Sequence, residues 1–252
     1  MATIKFDDVS IYYGNNKKRK YVIENLSTVF EDGKINVILG DSGCGKTTLL
    51  KSLVEAVGFD GEIYFDGKNA DDILVNKRGV SFVSQNINLF PYLTIFDNIA
   101  FPLKVKKYKP EDILTKVRAI AELLGIEHCL NQRPRKLSIG QQQRAMIARE
   151  MVSNPSVLLL DEPFSNLNPD LRKELNWLVK DICEQLKTTV IFVTHSYDEA
   201  INLADVLYIM DEGHIIATGT PRELIKSNNP YLQVMHDADY AVGRNDEEEK
   251  NR

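Results

Sequence analysis

The octapeptide GDSGCGKT, Gly40 to Thr47, stands between the apolar run Ile35, Val37, Ile38, Leu39 and the segment Thr48, Leu49, Leu50, Leu53. A glycine-rich turn that leaves a strand and enters a helix can aim its backbone N–H groups inward around an anion. The helix start behind it adds unsatisfied donors and the positive end of a dipole. This is the pattern of a phosphate-binding P-loop. In it Gly40, Asp41, Ser42, Gly43, Cys44, Gly45, Lys46, Thr47 and Thr48 form the nucleotide cradle, with Lys46 reaching the β- and γ-phosphates and the Thr47 hydroxyl suited to Mg²⁺. Cys44 lies beside Lys46 at a helix start, a setting that lowers a thiol's pKa, so its alkylation is expected to block nucleotide binding.

Three further apolar runs end in polar residues. Val80 to Val83 stops at Ser84 and Gln85, Val157 to Leu160 at Asp161 and Glu162, and Val190 to Thr194 at His195. Ligands of open α/β sheets lie at the carboxyl ends of the strands, so these groups should converge with the P-loop. Asp161 is suited to hold Mg²⁺. Glu162 is suited to accept a proton from attacking water, Gln85 to offer its carbonyl to the metal and its amide to that water, and His195 to donate to the γ-phosphate. Singly, an Asp-Glu pair at a strand end also serves as a helix cap, and a lone histidine is more often structural. Their joint arrival behind a P-loop favours chemistry. In LSIGQQQRAMIARE, Ser138 has an N-cap side chain and Gly140 allows close backbone approach, which makes a second anion-binding helix start; taken alone the pattern also reads as a well-capped amphipathic helix, and its presence with the P-loop favours the first reading.

The elements that must hold these groups follow from periodicity. Ile4 to Tyr13 and Tyr21 to Phe30 read as antiparallel strands joined by the basic loop GNNKKRK, which is expected to be solvated. GEIYFDG, Gly61 to Gly67, alternates as a half-exposed strand. Pro110 to about Ile126 carries Ile113, Val117, Ile120, Ala121 and Leu124 at helical spacing, and a second helix is expected from about Gly140 to Val152. Residues 86–152 thus form a helical insertion. The short runs VLLL and VIFV, separated by the helical segment Leu171 to Leu186, suit strands of a parallel sheet covered on both faces. Val206 to Met210 and His214 to Ala217, around Asp211, Glu212 and Gly213, suit a closing hairpin. The polar tail 237–252 is expected to be disordered.

Composition narrows the class. The 252 residues carry a net charge of -5, which argues against a protein held on duplex nucleic acid by phosphate neutralisation, so no nucleic-acid partner is expected. The longest apolar runs are far short of the roughly 20 residues needed to span a bilayer, and the N-terminus lacks a secretory pattern, so the cytosol is expected. Cys44, Cys129 and Cys183 show no pairing or zinc spacing and read as free thiols.

With these residues in order, the chain resembles the nucleotide-binding subunit of an ATP-binding cassette (ABC) transporter, over about Ile4 to Met235. GDSGCGKT matches the P-loop, Gln85 the Q-loop, LSIGQ the signature, VLLLDEP the Walker B strand, SNLN the D-loop and His195 the switch histidine. The resemblance implies an α/β P-loop NTPase with a parallel sheet core, an antiparallel β subdomain and an inserted helical subdomain, within one ATPase domain spanning 1–236. It implies ATP and Mg²⁺ as cofactors, with Tyr13, or adjacent Tyr12, stacking on adenine. It also implies that a homodimer or paired ABC subunit supplies Ser138, Gly140 and Gln141 in trans. Ile139 and Asn168 depart from the family's usual Gly and Asp.

The stretch SQNINLFPYLTIFDNIAFPLK and DEPF resemble the importer branch, in which membrane permease subunits bind the ATPase on the inner face of the cell membrane and a substrate-binding protein acts indirectly. A docking groove is then expected near Asn88 to Leu93, with Phe90, Pro91, Tyr92 and Leu93 exposed and Leu89 and Tyr92 as docking positions; the alternative for each taken singly is packing inside the lobe. The cargo is not written in these motifs. Two alternatives stand behind this reading. A soluble non-transport ABC ATPase acting in assembly, repair or translation usually has tandem cassettes or long coiled-coil insertions. A P-loop small-molecule kinase gives no reason for LSIGQ, Gln85 and His195 to occur together.

Overall fold

A computed structural model of the chain describes residues 2–15, 18–227 and 229–236. The polar tail expected to be disordered lies outside the described residues, as does the tip of the basic loop. The first layer is an antiparallel sheet of β1 (Ile4–Asn15), β2 (Lys18–Phe30), β4 (Gly58–Phe65) and β5 (Lys68–Asn69), in the order β2-β1-β4-β5; β3 (Ile35–Leu39) and α1 (Lys46–Leu53) intervene in sequence. The basic segment is mostly strand rather than loop, because Tyr13 pairs with Lys20, Gly14 with Arg19 and Asn15 with Lys18. Arg19 there is held by Asp60 at 2.6 Å and stacks over Tyr12 at 4.3 Å, so its charge is engaged.

The second sheet joins β3 to β6 (Val80–Val83), β7 (Val157–Asp161), β8 (Thr189–Thr194), β9 (Val206–Asp211) and β10 (His214–Gly219), in the order β10-β9-β3-β8-β7-β6. All its pairings are parallel except the closing β9–β10 hairpin. Because β3, β6, β7 and β8 run the same way, the four polar strand ends expected from the sequence share one edge of the sheet.

The two faces of this sheet bury different partners, as the pleat requires. Ile38, Leu159, Ile191, Val193 and Tyr208 join Phe6, Phe30 and the buried leucines of α1 in a core between the sheets. Val37, Leu39, Leu158, Leu160 and Phe192 face the helices α2 (Ile95–Val105), α3 (Pro110–Leu123), α4 (Ile139–Met151), α5 (Pro169–Leu186) and α6 (Tyr197–Leu203). The short α7 (Pro221–Lys226) and the helical residues 230–236 close the same core through Leu224, Leu232 and Met235. Each fully buried leucine or isoleucine contributes about 1.5–3 kcal/mol by leaving water, so the strands that bear the site are firmly anchored. The striped face of α3 lies inward as its spacing requires, with Ile113, Val117, Ile120 and Ala121 buried.

Candidate functional site

The P-loop joins β3 to α1, and no side chain caps that helix. Its N-cap is Gly45, at φ 112°, a left-handed conformation that a side chain would strain. The helix start is therefore left for an anion, in a cleft of about 300 Å³ lined by Ser42, Gly43, Gly45, Lys46, Thr47, Thr48, Gln85, Asp161 and Glu162. Lys46 is only 4% exposed and folds back on the loop, donating to the carbonyls of Gly40 at 2.7 Å and Asp41 at 2.9 Å. Its ammonium also lies 3.6 Å from Glu162 Oε1. A phosphate must replace these partners before Lys46 takes the expected role.

The end of β7 splits two neighbouring carboxylates. Asp161, still in the strand, accepts from the Thr47 hydroxyl at 2.7 Å. Burial pushes its pKa up, against the opposing pull of that hydrogen bond. Glu162 sits at φ 44°, and its N–H donates to the Val193 carbonyl at 3.0 Å, which turns its side chain away from that of Asp161. Glu162 Oε2 lies 2.9 Å from His195 Nδ1. That hydrogen bond holds the carboxylate below its usual pKa and raises the histidine above its own.

Gln85 is exposed beside the cleft and donates its amide to the Ser165 hydroxyl at 3.1 Å, while that hydroxyl donates to the Glu162 carbonyl at 3.1 Å. Of the two candidate tyrosines, Tyr13 is 40% exposed with its hydroxyl 3.2 Å from that of Thr48, whereas Tyr12 is 8% exposed and packed on Tyr21. Only Tyr13 offers a free face near the P-loop.

Ser138, Gly140 and Gln141 do not line the cleft. Ser138 caps α4 by accepting from the Gln141 N–H at 3.3 Å, and Gln141 Oε1 accepts in turn from the Ser138 N–H at 3.0 Å. This capping box pairs two of the N–H groups at the helix start, those of Ser138 and Gln141. The close approach at Gly140 is to the chain's own α5, since a Cβ there would meet Leu171 at 3.0 Å. The signature helix is also tied to the Walker B turn, through a hydrogen bond from Gln143 to the Pro163 carbonyl.

Two sequence expectations need correction, and one contact was missed. Cys44 is buried, and desolvation pushes its thiol pKa up despite Lys46 nearby, so it contributes backbone and packing rather than a reactive thiolate. Leu89, expected as a docking position, is only 9% exposed and packs in the core, while Phe90, Pro91 and Tyr92 are exposed and Leu93 is half-buried. The missed contact is Tyr231, whose hydroxyl accepts from the Asp41 N–H at 3.1 Å. Burial pushes that hydroxyl up to about pKa 12. Its 190-residue separation from the loop leaves no local signal to read.

Known proteins share this fold. The structure of cbiO1 from Clostridium perfringens, part of the ABC transporter complex cbiONQ, is similar at 26% identity and TM-score 0.82 over 96% of both chains. The dimeric MJ0796, a bacterial ABC transporter cassette, is similar at 28% identity and TM-score 0.74, over 87% of this chain and 99% of that one. MJ0796 in a post-hydrolysis state bound to ADP and Pi matches over the same shares at 28% identity and TM-score 0.75. The family model for ABC transporters matches residues 23–165. The chain therefore belongs to the ABC transporter family, as an ATP-binding cassette with the P-loop NTPase fold that hydrolyses ATP.

Proposed function

We propose that the chain powers solute import through separate membrane permease subunits, by ATP-driven head-to-tail pairing of two cassettes. The partner is a second copy or a related ABC subunit, a substrate-binding protein acts indirectly, and the cassette works on the inner face of the cell membrane. The observation that carries this reading is the division of the site. Lys46, Thr47, Asp161 and Glu162 share one cleft that Ser138, Gly140 and Gln141 do not enter. ATP on one P-loop then completes its contacts on the partner's signature helix, and a ligand bound only by the closed pair stabilises that pair.

In the free chain Lys46 and His195 both hold Glu162. A triphosphate offers Lys46 and His195 a more highly charged acceptor and releases the Glu162 carboxylate. Loss of those partners raises its proton affinity, which suits a base that takes a proton from attacking water. Thr47, Asp161 and Gln85 supply only oxygen donors, and the Thr47 and Asp161 oxygens already meet at 2.7 Å, a set that fits Mg²⁺ with its few protein ligands. When bound, that ion neutralises charge on the β- and γ-phosphate oxygens.

Permease docking is supported by a groove of about 640 Å³ in the helical lobe, 86–152, lined by Phe90, Phe101, Pro102 and Val105. Arg149 fixes one wall by donating to the Asn88 carbonyl at 3.0 Å and to its Oδ1 at 2.6 Å. The apolar face of an amphipathic helix fits such a surface. Because Leu89 is buried and Tyr92, though 77% exposed, does not line this groove, Val105→Arg, at a lining residue 66% exposed, is the substitution that should uncouple transport while sparing ATPase.

The deciding test is light scattering of Glu162→Gln with ATP and Mg²⁺. A nucleotide-dependent dimer, transient in the unaltered chain and abolished by Ser138→Arg, is the expected result. A variant that binds ATP with full affinity yet stays monomeric, alone and with its permease, overturns head-to-tail pairing.

A further inference from the structure

Two side chains of α5, one turn apart, reach the loops that carry the D-loop and the switch histidine. Arg172 donates through Nη2 to the carbonyls of Ser165 at 3.1 Å and Leu167 at 3.0 Å. Asn176, 7% exposed, donates through Nδ2 to Glu199 Oε1 at 3.1 Å. Glu199, 8% exposed, accepts on its other oxygen from the Thr194 hydroxyl. That hydroxyl accepts from the Ser196 N–H at 3.0 Å, and Ser196 Oγ accepts from the Glu199 N–H at 3.4 Å. Thr194 and Ser196 are the residues on either side of His195, so one flank of the histidine is fastened to the buried Glu199 carboxylate and the other to the Glu199 backbone N–H and the Thr194 hydroxyl.

The orientation of Asn176 has a cost that simple packing does not explain. Its Oδ1 is buried without a hydrogen-bond partner, beside a cavity of about 250 Å³ between α5 and α6. Turning the amide over would bring its oxygen against the Glu199 carboxylate. A buried polar atom left unpaired is destabilising, less what water in the cavity returns, and a leucine at 176 would avoid it. What the asparagine supplies in exchange is a donor to Glu199.

We propose that Glu199, oriented by Asn176 and Thr194, is a positioning residue for His195, setting where the imidazole stands when it meets the γ-phosphate. This rests on the reading of His195 as the γ-phosphate donor. Nothing in the contacts of Glu199 reaches the P-loop, so its loss should change turnover and leave nucleotide binding intact. The same helix holds the D-loop through Arg172, which gives the two loops a common mount.

The test is steady-state ATPase of the full chain carrying Glu199→Gln, His195→Ala and both. Misplacing a reacting group by a fraction of an ångström is expected to lower kcat about tenfold in Glu199→Gln, with the KM for ATP and the melting temperature unchanged. Adding Glu199→Gln to His195→Ala should lower kcat no further, because the ring it positions is gone. Adding Asn176→Asp to Glu199→Gln should restore kcat to within about threefold, since the amide introduced at 199 then donates to the carboxylate introduced at 176. Should Glu199→Gln prove too unstable to assay, Thr194→Val removes the hydroxyl at constant shape and is read the same way. A loss that adds in full to His195→Ala, or that tracks KM or melting temperature, overturns the proposal. A His195→Ala variant with normal kcat instead overturns the role of His195 itself, and leaves Glu199 nothing to position.

Discussion

Helices α1 and α4 both begin at motifs suited to phosphate, yet they start in opposite ways. The first has a glycine at its N-cap, no side chain across its end, and a cleft in front of it. The second carries a complete capping box of Ser138 and Gln141. An uncapped helix start inside a loop that curls around it is prepared for an anion. A self-capped one holds part of its first turn without any ligand. On the proposed head-to-tail reading the two helix starts would have different tasks, one capturing nucleotide in the single chain and the other meeting nucleotide carried by a second chain.

The contrast can be broken most forcefully at Lys46. Lys46→Ala is expected to weaken ATP binding about a hundredfold in titration calorimetry, since charge-assisted bonds to two phosphates are lost. Cys44 sharpens the picture of the first helix as a packed end. Its thiol should react with a disulfide reagent at least about tenfold more slowly in the folded chain than in urea at the same pH, because burial raises its pKa and hides it. Labelling as fast as in urea would revive the reactive-thiol expectation.

Ser138→Ala breaks the second helix start alone. It should cost about 1 kcal/mol in urea unfolding and leave monomer ATP affinity unchanged. The same change made at the first helix has no counterpart, because α1 has no capping side chain to remove. A pH titration probes the first end from another side. The His195 ring, held above its ordinary pKa chiefly by Glu162, should titrate at lower pH by NMR in Glu162→Gln. With the folded value raised, the stabilisation from this contact is complete below the ordinary histidine pKa and fades as pH rises through the folded one. An unchanged histidine titration would mean that the pair does not form in solution.

The smallest effect is expected at Asn168, which caps α5 by accepting from the Leu171 N–H at 2.9 Å. Asn168→Asp keeps a capping oxygen, so stability should move by less than about 0.5 kcal/mol. Any change in hydrolysis rate should exceed the change in nucleotide affinity, and equal changes in both would remove the D-loop from the coupling between sites.

Much of this site was legible because its signals are local. A strand's end and a helix's start are adjacent in sequence, so Lys46, Thr47, Asp161, Glu162 and Gln85 could be assigned to one edge from apolar runs alone, and they do line one cleft. The helices α3 and α4 were legible for the same reason, through the spacing of buried residues and the Ser138 cap. What escaped depends on three-dimensional neighbours. Cys44 looks activated from its sequence neighbours, but the core between the sheets reaches it and reverses the shift. Leu89 carries no mark that separates it from exposed Phe90. The bonds of Lys46 to its own loop carbonyls, and of Tyr231 to Asp41, belong to the folded chain alone.

The left-handed backbone at Glu162 narrows the alphabet of that position before any chemistry is considered. Residues branched at Cβ fit a φ near +44° poorly, and forcing one there would shift the peptide that Glu162 shares with Asp161. A saturation library at 162 would therefore mix two kinds of failure, distorted chains and chains that merely lack a carboxylate. Glutamine differs from glutamate by one atom and no branch, so among the replacements it isolates the charge and leaves the turn as it is.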